Sequence, residues 1–227
     1  MDGNGRWARA RGLARIRGHE KGVESIRDIV TECARIDEIE YLTLYAFSRE
    51  NWRRPRTEVN YLMRLLKRFC RRELKTMMDN SVRFTTIGAT SGLPQDVERV
   101  LRETAHATAA NERLTLCLAL NYGARDEIIR AVRRVAREAA AGGLAPKAVT
   151  EETFGRYLDT AKMPDPDLII RTAGEKRLSN FLLWQASYAE LWFTDVLWPD
   201  FRKEHLADAL REYSQRTRRF GGIEDVR

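Results

Sequence analysis

The chain has 227 residues, 43% of them hydrophobic and 32% charged, with a formal net charge of +7. That balance suits one globular domain with a sizeable core, and no apolar run approaches the ~20 residues of a membrane span. The arginine-rich start reads unlike a secretory leader, and Cys33, Cys70 and Cys117 lie inside apolar segments with neither disulfide nor metal spacing, so a soluble protein with reduced, buried thiols in a cytoplasm is expected, at most peripheral to a membrane. The positive excess favours an anionic partner: nucleic acid, a membrane surface or a phosphorylated small molecule.

In chain order, Met1-Asp2-Gly3-Asn4-Gly5-Arg6-Trp7 opens with turn dipeptides and runs into Arg9, Arg11, Arg15 and Arg17 before the first following acid, Glu20. A surface turn is one reading of it. A glycine-rich phosphate cradle with one carboxylate for Mg²⁺ is the other. Residues 20–36 show helical spacing, and 41–47 read as a buried strand that ends in the polar run Ser48-Arg49-Glu50-Asn51-Trp52-Arg53-Arg54-Pro55. A helix over 58–79 follows, with Val59, Leu62, Met63, Leu66, Phe69, Cys70, Leu74 and Met77 as its apolar stripe. Next come a strand over 82–87, a helix over 94–109, a strand over 114–120, a helix over 125–141 and a helix start at 150–153. The chain closes with a strand over 168–170, a helical turn over 181–185, a short strand over 191–193 and a helix over 204–218. Strands alternating with helices predict an α/β fold: a single domain, residues 1–227, whose central, mostly parallel sheet is flanked by helices. Ligands of such sheets bind at the carboxyl ends of the strands. Those ends deliver 48–54, 121–125 and 171–179, all polar, basic or glycine-bearing.

Arg171 and Arg177 with Ser179 form a second basic cluster, either a solvated loop or a holder of a second anionic group. Trp52 either staples its loop to the core or lines a site. Glu190, set among aromatics, needs a partner. An ion pair and a metal shared with Asp2 are the two options, and the residues alone favour the ion pair. His19 reads either as a phosphate donor or as a polar residue at a helix start.

Taken together, Met1–Ala8 with Arg15-Ile16-Arg17-Gly18-His19 and Gly22, Tyr45–Trp52 with Arg54-Pro55 and Glu58, Asn121-Tyr122-Gly123, Arg171–Glu175, Arg177–Gln185, Tyr188–Phe193 with Trp198-Pro199, and Arg218–Gly222 resemble the motifs of the cis-prenyltransferases, the undecaprenyl diphosphate synthase family, nearly end to end. The resemblance implies a homodimeric, Mg²⁺-dependent enzyme with a hydrophobic tunnel. Its reaction condenses isopentenyl diphosphate with an allylic diphosphate such as farnesyl diphosphate. Carried over by position, Asp2 would hold Mg²⁺, completed by Glu190. Gly3, Asn4, Gly5, Arg6, Arg15 and His19 would bind the allylic diphosphate. Trp7, Ser48, Arg49, Glu50, Trp52 and Arg54 would line the substrate site, and Asn51 would accept the proton lost from the isopentenyl unit. Arg171, Arg177, Leu178 and Ser179 would hold isopentenyl diphosphate. The expected product is long, undecaprenyl diphosphate as the lipid carrier of cell-wall synthesis, with Ala46 leaving the tunnel entrance open. Ala173, where relatives often carry Gly or Ser, and Lys176, where some carry His, are expected to be tolerated. The family's short strand ahead of the Met-Asp-Gly-Asn-Gly motif is not part of this sequence, so Met1 is expected to be an internal methionine of a longer native chain. Alternatives are a shorter-chain synthase, a non-catalytic or truncated relative, and an RNA-binding protein. The last is disfavoured because the arginines gather at strand ends rather than on one aromatic-studded face.

Overall fold

The structure, a computed structural model, describes residues 1–217. The motif at 218–222 lies outside the described residues. In chain order the elements are α1 (Asn4–Arg9), α2 (Arg15–Arg35), β1 (Tyr41–Ser48), α3 (Arg56–Asp79), β2 (Val82–Ile87), α4 (Gln95–Ala107), β3 (Leu114–Tyr122), α5 (Ala124–Ala140), α6 (Glu151–Gly155), β4 (Leu168–Arg171), β5 (Glu190–Phe193) and α7 (Lys203–Ser214). They divide into two compact units: Met1–Ile36 with Asp165–Arg177 and the chain from Gln185 on, and Asp37–Pro164 with Leu178–Trp184.

The larger unit is built on a parallel sheet in the order β1-β3-β2. Parallel strands need crossovers, and α3 and α4 supply them. The central strand β3 is buried along nearly its whole length, Leu116, Cys117 and Ala119 showing no exposed surface. Its almost unbroken apolar run is what a strand covered on both faces requires. The buried face of α3 is Val59, Met63, Leu65, Phe69, Cys70, Glu73 and Met77. Leu62, Leu66 and Leu74, expected in that stripe, are only part-buried. At the carboxyl end of β3, Tyr45 stacks on Phe181 with ring centroids 4.6 Å apart, and both pack against a core of Ile87, Cys117, Tyr122 and Leu182. The buried Glu127 carboxylate on α5 is satisfied there: the Tyr122 hydroxyl donates to Oε2 at 2.6 Å and the Asp159 N–H to Oε1 at 2.8 Å. Burial and the neighbouring Glu127 push the Tyr122 hydroxyl pKa up. Burial likewise raises the Cys70 and Cys117 thiols to about 12, so neither is reactive near neutrality.

The smaller unit contains the parallel pair β4-β5, registered from Leu168 opposite Glu190 to Arg171 opposite Phe193. Its helices α1 and α2 pack through glycine. A Cβ on Gly18 would meet the Asn4 backbone oxygen, and one on Gly22 would meet Asn4 Oδ1 and lie 3.0 Å from Trp198. The Trp198 indole N–H, buried at 5% exposure, donates to the Gly22 carbonyl at 2.9 Å. Helix α2 therefore starts five residues before the position its apolar spacing suggests. Glycine is a poor helix former, and the first turn is held by this close packing rather than by propensity.

The helical turn expected over 181–185 is displaced to a 3₁₀ turn at Gln185–Tyr188. The cause is backbone conformation. Ser179, Asn180 and Leu182 have φ of 50°, 63° and 47°, and left-handed residues break a right-handed helix. No described helix is long and apolar enough to cross a membrane.

Candidate active site

Asp2 sits just beyond the carboxyl ends of β4 and β5. Its backbone N–H donates to Thr172 Oγ1 at 2.9 Å, the Thr172 hydroxyl donates to its carbonyl at 2.9 Å, and the Trp198 N–H donates to the same carbonyl at 2.9 Å. Thr172, buried at 1% exposure, is therefore the peg that fixes Asp2. The Asp2 carboxylate takes the Gly3 N–H on Oδ1 at 2.7 Å and Arg171 Nη2 on Oδ2 at 3.1 Å, with Arg6 Nη2 4.0 Å from Oδ1. Burial alone would raise its pKa. The Arg171 hydrogen bond and charge and the Gly3 amide work against that, and the carboxyl is held below the usual aspartate range.

Gly3 stands at φ 100° as the N-cap of α1 and offers no side-chain cap to the first amides of that turn. Any Cβ there would lie 2.8 Å from Leu197 and 3.0 Å from Ala173. Ala173 itself has φ 71°. That left-handed position suits glycine and is strained for alanine. Against Gly5 lies the Arg15 guanidinium, whose Nε is 3.3 Å from where a Cβ would stand.

Glu175 completes this cluster. It takes Arg6 Nη2 at 2.9 Å and pairs through its other oxygen with Arg177. Arg171 Nη1 donates to the Arg177 carbonyl. Three arginines (6, 171 and 177) thus surround two carboxylates, and Glu175 holds two of their forks in place. Neither Thr172 nor Glu175 stands out as a site residue in the sequence, because their partners lie about 170 positions away.

Other expected residues are engaged structurally. The Trp7 indole donates to Asp200 Oδ1 at 2.7 Å and the Arg11 guanidinium lies 4.2 Å over its ring, which makes Trp7 a staple. The Asn4 amide donates to the Met1 carbonyl at 3.3 Å. His19 follows Gly18 on α2 with its Nε2 buried.

Glu190 is not brought to Asp2. It opens β5 opposite Leu168, whereas Asp2 docks past the other end of the pair, three residues of about 3.3 Å rise further on. Glu190 instead accepts Arg216 Nη1 at 2.7 Å, the ion-pair option. Among the described residues no cluster of three His, Cys, Asp or Glu side chains could hold a metal by itself. A 42% exposed carboxylate beside arginines still fits Mg²⁺, which keeps waters and is commonly held by one or two carboxylates plus substrate phosphates.

The larger unit holds the remaining residues at the ends of β1 and β3. Ser48 and Asn51 form a capping box that closes a 3₁₀ turn over Arg49–Arg53, the Ser48 N–H donating to Asn51 Oδ1 at 3.1 Å. Trp52 staples its loop to the core. Its indole N–H donates to Asn121 Oδ1 at 2.8 Å and its ring meets Phe47 edge-on at 5.1 Å, yet the side chain stays 40% exposed. Trp52→Phe leaves the Asn121 oxygen short of its donor. A loss of about 1–3 kcal/mol is expected, measurable by urea denaturation with the m-value unchanged.

Arg49 pairs with Asp126 at 2.7 Å, and Arg54 with Glu58 at 3.1 Å. Asn180 ties the turn bearing Leu178 and Ser179 into this unit. Its side chain donates to Glu50 Oε1 at 2.9 Å and accepts the Arg125 N–H at 2.9 Å, and its carbonyl accepts the Ala124 N–H at 2.8 Å. Burial raises the Glu50 carboxyl pKa, but the Asn180 and Ser48 hydrogen bonds and Arg53 more than offset it, leaving a net lowering.

A parallel α/β scaffold that gathers Arg6, Arg171 and Arg177 around Asp2 and Glu175 beyond its strand ends has the chemistry to take an anionic group. The family model described as "Putative undecaprenyl diphosphate synthase" matches residues 1–221. The isoprenyl transferase of Rhizobium meliloti (strain 1021) is 55% identical over 223 residues, 98% of this chain and 90% of the relative. That of Clostridium tetani is 52% identical over 98% of this chain and 87% of the relative. Among solved structures, lavandulyl diphosphate synthase from Lavandula x intermedia, in complex with dimethylallyl diphosphate, superposes with a TM-score of 0.95 at 37% identity, covering 97% of this chain and 95% of that one. A probable undecaprenyl diphosphate synthase from Campylobacter jejuni gives 0.79 at 37% identity, with coverage of 89% and 92%. The chain belongs to the undecaprenyl diphosphate synthase family of prenyltransferases and is a prenyl-transferring enzyme of α/β fold.

Proposed function

We propose that this chain is a cis-prenyltransferase that joins isopentenyl diphosphate to an allylic diphosphate, farnesyl diphosphate by preference, releases diphosphate, and builds undecaprenyl diphosphate. The observation that carries the reading is the exposed Asp2 carboxylate held between Arg171 and Arg6 at the end of β4, the geometry of a cation-assisted diphosphate site. The family relationship and a relative complexed with an allylic diphosphate support the substrate class.

Asp2 would hold Mg²⁺, which when bound supplies charge neutralisation on the departing diphosphate. Gly3 to Arg6, with Arg15 and His19, bind that diphosphate through backbone amides and guanidinium forks. Arg171, Arg177 and Ser179, beside Leu178, hold isopentenyl diphosphate; Arg177 exchanges its Glu175 partner for phosphate oxygens. Ser48, Arg49, Glu50, Trp52 and Arg54 line the substrate site, orienting the alkene for attack. Asn51 Oδ1 already accepts the Ser48 N–H, so only its second lone pair is open to the departing proton. An amide is a weak base, and orientation is its larger contribution.

The part-buried Leu62, Leu66 and Leu74 of α3 offer apolar surface to a growing prenyl chain. Tyr188, 70% exposed, and Leu191, 36% exposed, offer an apolar face to a second copy of the chain in a homodimer. The enzyme would work in the cytoplasm, peripherally at the inner face of the plasma membrane, without a nucleic acid partner. A shorter product is the second reading, favoured by the 0.95 TM-score to lavandulyl diphosphate synthase. Mass spectrometry of the dephosphorylated product separates them. A ladder ending at eleven isoprene units with new cis bonds is expected, and termination after one or two condensations would give the shorter reading.

A further inference from the structure

We propose that the outer face of α3 is a docking surface for an anionic lipid bilayer, a proposal that rests on the product being a membrane-bound polyprenyl diphosphate. Arg64, Lys67, Arg68, Arg71, Arg72 and Lys75 place six cations within twelve residues, and the one acid among them, Glu73, is turned into the core at 3% exposure. Six cations less Glu73 amount to five of the seven excess positive charges of the whole chain. At 100° per residue, Arg64, Arg68, Arg71 and Lys75 form one stripe opposite the buried Val59, Phe69 and Met77. Arg64, Arg68, Arg71, Arg72 and Lys75 are all exposed. The stripe runs about 16 Å along the helix.

An ordinary solvated helix face alternates its charges, as α4 does with Arg99–Glu103 and Arg102–Glu98. Here no acid stands three or four positions from Arg64, Arg68, Arg71 or Arg72. Arg64–Arg68, Arg68–Arg72 and Arg71–Lys75 are like-charge neighbours instead, which disfavours the isolated helix and is relieved by an opposing anionic surface. Lys67 pairs with Asp96 and Lys75 with Asp79, and the Arg64 guanidinium lies 5.7 Å over the Tyr61 ring. Met78, 46% exposed, adds an apolar side chain at the end of the stripe. A single-sign rod with an apolar tip is the pattern of an interfacial helix face. Nucleic acid fits it less well. Phe69, the one aromatic between Arg64 and Lys75, is buried at 5% exposure, and the half-buried Tyr61 ring is already covered by the Arg64 guanidinium, so no fully exposed ring stands among the cations for base stacking.

The test is co-sedimentation of the protein with phosphatidylcholine vesicles, with and without phosphatidylglycerol, across a salt series. Binding only to the phosphatidylglycerol vesicles, lost at high salt, is expected. R64Q/R71Q/R72Q should weaken it on the order of a hundredfold. R64K/R71K/R72K should keep it, since charge rather than fork geometry is read. Turnover on a short allylic primer in detergent is unchanged in both variants, and its absence in the wild-type protein would count against the enzymatic reading, not against charge-dependent vesicle binding. Equal binding by the glutamine variant overturns the proposal, as does preference for RNA or duplex DNA over vesicles at the same salt. If the glutamine variant does not fold, the salt series on the wild-type protein decides, and binding that survives high salt overturns the surface.

Discussion

Asp2→Ala is expected to lower the rate of prenyl transfer on the order of a thousandfold while leaving the fold intact. The carboxylate is 42% exposed and its removal opens no core cavity. What anchors the segment is the backbone, through Thr172 and the Trp198 amide, and alanine keeps both contacts. What disappears is the one carboxylate available to a cation beside Arg171. Loss of a single preorganised charge-stabilising group typically costs about 10²–10³ in kcat, and a metal-binding group stands at the upper end. Arg171 then faces Asp2's place with no counter-charge, so affinity for diphosphate alone should hold or rise. Steady-state kinetics with both substrates read this as a fall in kcat without a matching rise in KM. A variant with wild-type kcat would remove Asp2 from the chemistry.

Gly18→Ala is the second large effect, and it acts from outside the site. The added Cβ would coincide with the Asn4 carbonyl, which belongs to the backbone and cannot rotate away. Either α1 lifts from α2 or α2 loses its first turn. Overpacking of this kind costs about 1–3 kcal/mol, and a shift of about 1 Å in a positioned group costs about 10²-fold in rate. Asp2, Gly3 and Gly5 all ride on that segment. Thermal unfolding and turnover should fall together. Gly12→Ala serves as the control: it lies at φ 65° but a Cβ there would meet nothing within 4 Å, so stability drops modestly and turnover stays.

Much of this architecture is legible in the residues. β2 falls on the expected 82–87, and β1, β3, β4 and β5 differ by one or two residues at their ends. Strands buried on both faces must be continuous apolar runs, and such runs are visible without a structure. Helix α1 is not visible. It is six residues long, begins at a left-handed Gly3, and is spelled in the same Asp-Gly and Asn-Gly pairs that make tight turns. The turn at 179–182 is hidden for a related reason. Its left-handed Ser179, Asn180 and Leu182 are held by Asn180 hydrogen bonds to Ala124, Arg125 and Glu50, none of them local in sequence.

The site shows the same division. The arginines announce themselves by clustering, and Asp2 by being the lone acid among them. Which acid accompanies it does not follow from residue type. Glu190 sits at the wrong end of β5 and takes Arg216, while Glu175 meets Arg6 and Arg177. The register of β4 against β5 puts Glu190 opposite Leu168 at the opening of the pair, a placement that residue type does not reveal. Trp52 is the staple of the two readings its residue type allows, since its N–H fastens the loop to Asn121.

The most direct measurement is the incorporation of labelled isopentenyl diphosphate into butanol-extractable product, with farnesyl diphosphate as primer, in Mg²⁺ and in excess EDTA. Mg²⁺-dependent incorporation that EDTA abolishes, and that fails with Asp2→Ala, is the result predicted here. Incorporation indifferent to both EDTA and Asp2, or none at all from a folded protein bearing the intact Arg6, Arg171 and Arg177 cluster, would contradict it.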